Sequence, residues 1–287
     1  MSVRRRVLAI LNKERPDQVP WLGDLDYWIN ALNQQGRLPA KYQGTGIFQL
    51  HRDLGVGFYL QGYYPYQPVY DGVQVEEEIG GDVRITRVKT PLGEVWQVER
   101  YLAESYCWAY QERYVKSWQD LRVIRYWYEH TYYQPDYQLA EERYELIGDN
   151  GLVLCYLPHS PLMELVTLLA GIATVTYALS DAPDEFDETI AILERKADEA
   201  AEIALHSPAE CLMIPENLSS EVVGKRLFHR YMRGSEERWA RKIREAGKYS
   251  FVHIDGTLKG LIREVASTGL LVLEALTPAP VGDLAVE

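Results

Sequence analysis

Three side chains in the last part of the sequence have the types and spacing to grip a cation or move a proton. His253 and Asp255 stand two residues apart in FVHID. On a strand, period-two alternation puts both on one face with Phe251, while Val252 and Ile254 turn to the other. An imidazole and a carboxylate so placed can hold one divalent metal. Glu274, closing the next apolar run LLVLE, is placed to be a third ligand. A fourth position left open would make the site catalytic, with zinc activating a bound thiol or water. Plainer roles fit the same residues: a strand-end His held by a hydrogen bond, and an Asp before Gly256 acting as a turn residue or helix cap.

Other candidates also end apolar runs. CLMIP leads into Glu216 and Asn217, which join His253 and Asp255 as catalytic candidates. The pair can also cap a following helix, although a Glu ending an apolar strand is costly unless partnered. His159, in LPHSPL, either faces the same cavity or points to solvent. Asp24 and Arg37 are candidates for substrate contact near the first strand. An aromatic cluster, Phe58, Tyr59, Tyr63, Tyr64, Tyr66 and Tyr70, offers a wall for a flat aromatic or corrinoid ligand, a dimer interface or ordinary packing. Tyr63 and Tyr64 are its candidates for substrate binding. GxGxxG, GxxxxGK[ST], GxSxG and HExxH are all absent, so nucleotide-dependent and serine-hydrolase chemistry lack their parts.

The elements that must position these residues fall into two regimes. A first helix over about 3–12 turns Val7, Leu8 and Leu11 to one face and stops at Arg15-Pro16-Asp17. Val19-Pro20-Trp21-Leu22 reads as a short buried strand ending in Gly23 and Asp24, and 26–60 as helix and loop. Alternation with a Pro91-Leu92-Gly93 turn predicts an antiparallel meander over 72–115. Ser117 with Asp120 starts another helix. After residue 150 short apolar strands (152–157, 211–214, 251–254, 270–274) alternate with amphipathic helices, among them 183–206 and 257–267. That rhythm implies a parallel sheet covered by helices. About six barrel strands are visible, where a (β/α)₈ barrel closes with eight. Asp283 looks like an N-cap whose helix has barely begun, so the expectation is a barrel incomplete at its C-terminal end.

With 287 residues, 47% of them hydrophobic, the chain fits one domain, 1–287, with the meander as an insertion. Lys plus Arg is 30 against 42 Asp plus Glu, a net charge of −12 that argues against nucleic acid and anionic membrane surfaces. The basic run Arg4-Arg5-Arg6 reads as the polar face of the first helix. Cys107, Cys155 and Cys211 are odd in number and lack CxxC spacing, so neither a disulfide scaffold nor a cysteine-only metal site is expected. No signal peptide opens the chain and no stretch of about 18 apolar residues occurs, so the expected compartment is the cytoplasm.

The order of these segments resembles the uroporphyrinogen decarboxylase superfamily, nearest its methyltransferase branch. RRRVLAILNKERPDQVP is similar to that superfamily's opening helix, Pro-Asp and buried strand. WINALNQQGRLPAKY and LHRDLGVGFY resemble the segment that follows, and MIPENLSS its acidic-Asn strand end, with Glu216 and Asn217 in place. The stretch EAGKYSFVHIDGTLKGLIREVASTGLLVLEALTPAPVGDLAVE resembles the family's Ala-Gly-Lys, His-x-Cys-Gly, Thr-Gly, Glu-x-Leu-Thr-Pro and Gly-Asp series. The likeness spans nearly the whole chain, is strongest over 210–287 and is weak across the meander.

The resemblance implies a TIM-type α/β barrel enzyme that transfers a methyl group from a corrinoid or methoxylated compound to a metal-activated acceptor. It implies His253 as a zinc ligand and Glu274 at the position of a family Glu. Asp255 stands where the family has Cys, a harder ligand that shifts preference towards another divalent metal. The donor side implies a corrinoid-carrying partner protein, and the aromatic-rich half a homodimer interface. A decarboxylase would need no cofactor. Its Arg-Gln-Ala-Gly-Arg loop is echoed only by Gln34-Gln35-Gly36-Arg37, in which Arg37 would anchor a substrate carboxylate or be a surface arginine. A non-catalytic barrel that binds a corrinoid or a partner protein is the third expectation.

Overall fold

A serine cap starts the chain's first element. In the computed structural model, which describes residues 1–44, 47–59 and 63–285, the Ser2 hydroxyl accepts from the Arg5 backbone N–H at 3.3 Å. Helix α1 (Val3–Leu11) follows and buries Val7, Ala9 and Leu11. Its arginines are matched by acids. Arg4 pairs with Glu210, one Nη1–Oε2 contact measuring 2.9 Å, and Arg6 holds Asp17 at 2.7 and 3.1 Å.

Strand β1 (Leu22–Gly23), α2 (Asp26–Gln34), α3 (Ile47–Leu54) and β2 (Gly57–Tyr59) come next. The strand expected over 19–22 is displaced. Val19 and Trp21 are 85% and 71% exposed, and only Leu22 and Gly23 pair with β2. The reason is position: β1 is the outer strand of its sheet, so the residues leading into it have no second neighbour to bury them.

The meander forms as alternation predicts: β4 (Gln74–Gly80), β5 (Val83–Thr90), β6 (Gly93–Leu102) and β7 (Cys107–Glu112), all antiparallel. Val88 and Val95 face each other across β5 and β6 and are fully buried. The Ser117 and Asp120 capping box also forms, the Ser117 N–H donating to the Asp120 carboxylate at 3.0 Å, and α4 (Leu121–Glu129) follows it. Unforeseen is a ribbon formed by β3 (Tyr66–Tyr70) and β8 (Thr131–Pro135), paired antiparallel from Tyr66 opposite Pro135 to Tyr70 opposite Thr131. Meander and α4 are therefore strung between the two strands of this ribbon.

The second half runs α5 (Gln138–Ile147), β9 (Gly151–Leu152), β10 (Leu154–Tyr156) and α6 (Pro161–Met163), which widens into a π turn over Glu164–Leu169. Then come α7 (Ile172–Asp181), α8 (Pro183–Leu205), β11 (Cys211–Ile214), α9 (Lys225–Tyr231), α10 (Arg233–Glu245), β12 (Tyr249–His253), α11 (Ile262–Ala266) and β13 (Val272–Glu274). Helix α8 buries Phe186, Ile190, Leu193, Ala197 and Ala201, the face its spacing predicts.

Parallel strands follow chain order in two small sheets, β1-β2-β9 and β10-β11-β12-β13. Between β9 and β10 the chain is broken only at Val153, whose carbonyl accepts from Cys211 N–H at 3.3 Å. Both faces of the second sheet are covered. Leu154, Cys211, Met213 and Phe251 pack with Val7 and Leu11 of α1, while Cys155, Leu212, Ile214, Val252 and Ile254 join the large core beneath the other helices. Two-sided burial explains why these strands read as continuous apolar runs. Each wholly buried Leu, Ile or Phe contributes about 1.5–3 kcal/mol, so this sandwich supplies a rigid base for the strand ends.

Among the described residues β1 and β13 do not pair with each other, and the fold is a mixed α/β arrangement whose parallel strands fall in two small sheets. Asp283 starts no helix. Its carboxylate accepts from the Leu258 and Lys259 N–H groups at 2.6 and 3.1 Å and caps the turn leading into α11. Val286 and Glu287 lie outside the described residues. Cys155 and Cys211 are buried core thiols, and no cysteine is paired among the described residues. No helix of the described residues is long and apolar enough to cross a membrane.

Candidate functional site

His253 closes β12 and Glu274 closes β13, and the two are direct partners in register. Their side chains meet, His253 Nδ1 against Glu274 Oε2. On the opposite side of the ring, Nε2 lies 3.7 Å from Asp255 Oδ2. Asp255 and then Glu274 raise the imidazole pKa to about 9, against some desolvation, and the imidazole in turn holds the Asp255 carboxyl below its ordinary range. This environment favours the protonated ring near neutral pH.

The three residues expected as metal ligands are thus neighbours, but as arranged they do not fit a metal. Asp255 and Glu274 address different ring nitrogens, so they do not converge with one nitrogen on a common point. Among the described residues no group of three or more His, Cys, Asp or Glu is placed to hold a metal ion.

A second site opens beside β10. A cavity of about 240 Å³ lies between the β3–β8 ribbon, α4, the 158–161 loop, the π turn and α8. Tyr64, Tyr66, Tyr70, Trp127, Tyr128 and Tyr133 supply its aromatic lining. Among the described residues the lining contains neither Lys nor Arg; its acidic side chain is Glu164, with His159 as the other titratable group besides the phenols. Tyr128 donates to Glu164 Oε1 at 2.5 Å, and His159 Nδ1 lies 3.4 Å from Oε2. Glu164 is the first residue of the π turn, a widening that recurs at functional positions in helices. Burial pushes the hydroxyls of Tyr66 and Tyr128 well above the ordinary phenol range, so both stay neutral.

Behind the cavity wall Glu216 is wholly buried. Its carboxyl accepts from the Ser160 N–H at 3.1 Å and the Ser160 hydroxyl at 2.9 Å. Two such bonds contribute about 1.5–3 kcal/mol each, less than the cost of taking a carboxylate out of water. Desolvation accordingly pushes the Glu216 pKa up, with His159 opposing it and Glu164 adding to it. Glu236, on α10, is likewise wholly buried. Desolvation and then the proximity of Glu216 raise its pKa well above the ordinary range, and neither of its oxygens has a hydrogen bond of normal geometry.

Backbone contacts tie the two sites together. Asn217, at a positive φ of 47° that Asn tolerates better than most residues, donates its N–H to the His253 carbonyl at 3.1 Å. Beside it the loops after β11 and β12 press together. A Cβ on Gly256 would lie 2.6 Å from Ser219 Cβ, and the Ser219 and Thr257 hydroxyls are 2.9 Å apart.

The structure gathers only part of the expected site. His159 and Tyr64 line the cavity, Glu216 backs it, and His253, Asp255 and Glu274 form the second cluster. Tyr63 faces away: its hydroxyl donates to the Asp136 carbonyl and its ring lies under the Arg143 guanidinium at 5.0 Å. Asp24 and Arg37 are exposed and line no part of the cavity. Asp24 accepts from the Asp26 N–H at 3.1 Å, and Arg37 donates to Gln35 at 3.0 Å. Phe58 stacks on Phe48 in the core at 4.7 Å between ring centres, and the side chain of Tyr59 lies outside the described residues. Glu164, Tyr128, Trp127 and Tyr133 escaped the sequence reading. A lone Glu in the apolar run PLMELVTLL was the available signal for the first.

Comparison with protein-family models finds no match to this chain, and comparison with curated proteins finds none either.

Proposed function

We propose that this chain is a methyl-transferring enzyme on a (β/α) barrel-type scaffold, similar to the uroporphyrinogen decarboxylase superfamily, which takes a small methylated substrate in the tyrosine-lined cavity. One observation carries the reading: an apolar cavity holding a Glu164 and His159 pair opens where β10 ends, the end at which parallel α/β proteins bind ligands. Six parallel strands in chain order support the scaffold, the β9–β10 run counting as one.

The cavity's size selects the substrate. About 240 Å³ lies below the ~300–1,000 Å³ of sites for drug-sized ligands, so a corrinoid macrocycle does not enter, whereas a small methylated compound does. The methyl carbon leaves its donor heteroatom, which keeps the bonding electron pair, and an acceptor nucleophile supplies the pair for the new bond. His159, steered by Glu164, is the group placed to give the departing heteroatom a proton where it needs one. Glu216 supports the loop through Ser160. Uroporphyrinogen decarboxylation draws no support from this lining, which offers no arginine to a polycarboxylate.

The test is mass spectrometry of donor and acceptor products, using small methylated donors with a thiol or a cobalt corrinoid as acceptor. Turnover that falls about tenfold or more in Glu164→Gln supports the proposal. Turnover unaffected by that change removes the cavity from the mechanism. Coproporphyrinogen formed from uroporphyrinogen replaces methyl transfer with decarboxylation, and tight ligand binding without turnover replaces it with a binding role.

A further inference from the structure

The cavity has a shape and charge that narrow its guest further. Its successive rings are turned against one another. Tyr64 and Tyr66 lie 5.6 Å apart at 57°, and Tyr66 and Tyr133 lie 5.3 Å apart at 74°. Rings set this way form the walls of a box; a flat guest is better served by parallel rings that sandwich it. Among the described residues the box contains one carboxylate, Glu164, and no basic side chain except His159. Lys196, on α8 beside the lining residues Leu193 and Ala197, is already engaged. Its Nζ donates to Glu199 at 2.8 Å and sits 5.1 Å from the centre of the Tyr132 ring, and neither residue belongs to the cavity lining.

Aromatic boxes with a nearby carboxylate are the chemistry that recognises alkylated ammonium ions. The cation is drawn to ring faces, its methyl groups fill apolar space, and the carboxylate balances its charge without requiring an N–H donor. A rounded ammonium suits walls at 57° and 74°. The volume of about 240 Å³ suits a guest the size of choline or a small betaine.

We propose that the cavity bounded by Tyr64, Tyr66, Trp127, Tyr128 and Tyr133 binds a small N-methylated ammonium cation, with Glu164 as its counter-charge. This rests on the reading of the cavity as the substrate site and adds the substrate's class. Neutral phenols fit it, and burial keeps Tyr64, Tyr66, Tyr128 and Tyr133 un-ionised.

The experiment is calorimetric titration of the whole chain with choline, with 3,3-dimethyl-1-butanol as its uncharged isostere, and with methoxybenzene. The cation is expected to bind about tenfold or more tightly than the isostere. Glu164→Gln and Tyr66→Leu, each checked for a native circular-dichroism spectrum, should each remove most of that preference. Equal binding of choline and its isostere, or binding of methoxybenzene in preference to choline, overturns the cation. A methoxybenzene preference would leave methyl transfer in the same cavity standing. Methyl transfer that survives in variants unable to bind choline overturns the ammonium as substrate and leaves the enzyme class intact.

Discussion

Glu216 and Ser160 meet in a fully buried contact, with both the N–H and the hydroxyl of the serine donating to the carboxyl, at 3.1 and 2.9 Å. The contact fixes the loop that carries His159 into the cavity, and it sets a pH dependence. The folded-state pKa of Glu216 is raised from 4.5 to about 7, with desolvation as the main cause. A raised pKa contributes stability that is fully present below pH 4.5 and is lost as pH rises through about 7. Glu216→Gln keeps the shape and removes the ionisation. Urea unfolding is expected to show it close to the native chain near pH 4.5 and more stable by on the order of 1–3 kcal/mol at pH 8. A variant equally destabilised at both values would show that Glu216 is ionised and fully compensated.

His253 titrates between carboxylates on both sides. With its pKa raised from 6.5 to about 9, its contribution to stability is full below about 6.5 and is lost as pH rises through about 9. Nuclear magnetic resonance of the ring protons should give a midpoint near 9. Asp255→Asn and Glu274→Gln are each expected to bring it down towards 6.5, Asp255→Asn at least as far. A native midpoint already near 6.5 contradicts the paired geometry.

Zinc has to displace a proton from that same ring. Dialysis at pH 7 followed by elemental analysis is therefore expected to leave the chain with much less than one zinc per molecule, and His253→Ala should not change the result. One zinc per chain, absent from His253→Ala, would mean that Asp255 or Glu274 swings round to the other's side of the ring on binding.

Gly256 separates two loops that almost touch. Gly256→Ala puts a methyl group 2.6 Å from Ser219 Cβ and 3.1 Å from the Leu218 carbonyl oxygen. The expected cost is about 1–3 kcal/mol, read as a lowered Tm. Gly234→Ala is the control. Gly234 lies in α10 with nothing within 4 Å of an added Cβ, so alanine there should stabilise by about 0.5–1 kcal/mol. Equal shifts in the two variants would show that the loops part readily.

Local chemistry was legible in the sequence wherever a short stretch decided the outcome. Alternation in DVRITRVKT produced the meander, spacing in 183–206 produced the buried face of α8, and period two placed His253 with Phe251 and Val252 with the helices. The same logic failed at Asp283, because a cap serves whichever N–H groups the fold brings near, and these belong to Leu258 and Lys259. Tyr63 and Tyr64 show the same limit. Neighbours in sequence, they point to different surroundings, Tyr64 to the cavity and Tyr63 away from it, with the Tyr63 carbonyl accepting from the Tyr156 N–H at 2.7 Å.

What the sequence determined by itself was the set of parts: parallel strands in order, polar residues at their ends, an acidic chain and an aromatic-rich first half. Only the tertiary structure decided that Tyr64, Tyr66 and Tyr70 share a cavity with Tyr128 and Tyr133, because the β3–β8 ribbon closes across the whole meander and nothing local encodes that pairing. It also decided that Glu164 faces the cavity while Glu216 is sealed behind it. Both are acids beside apolar residues, and only packing, which seals Glu216 from water and leaves Glu164 on the cavity wall, separates them.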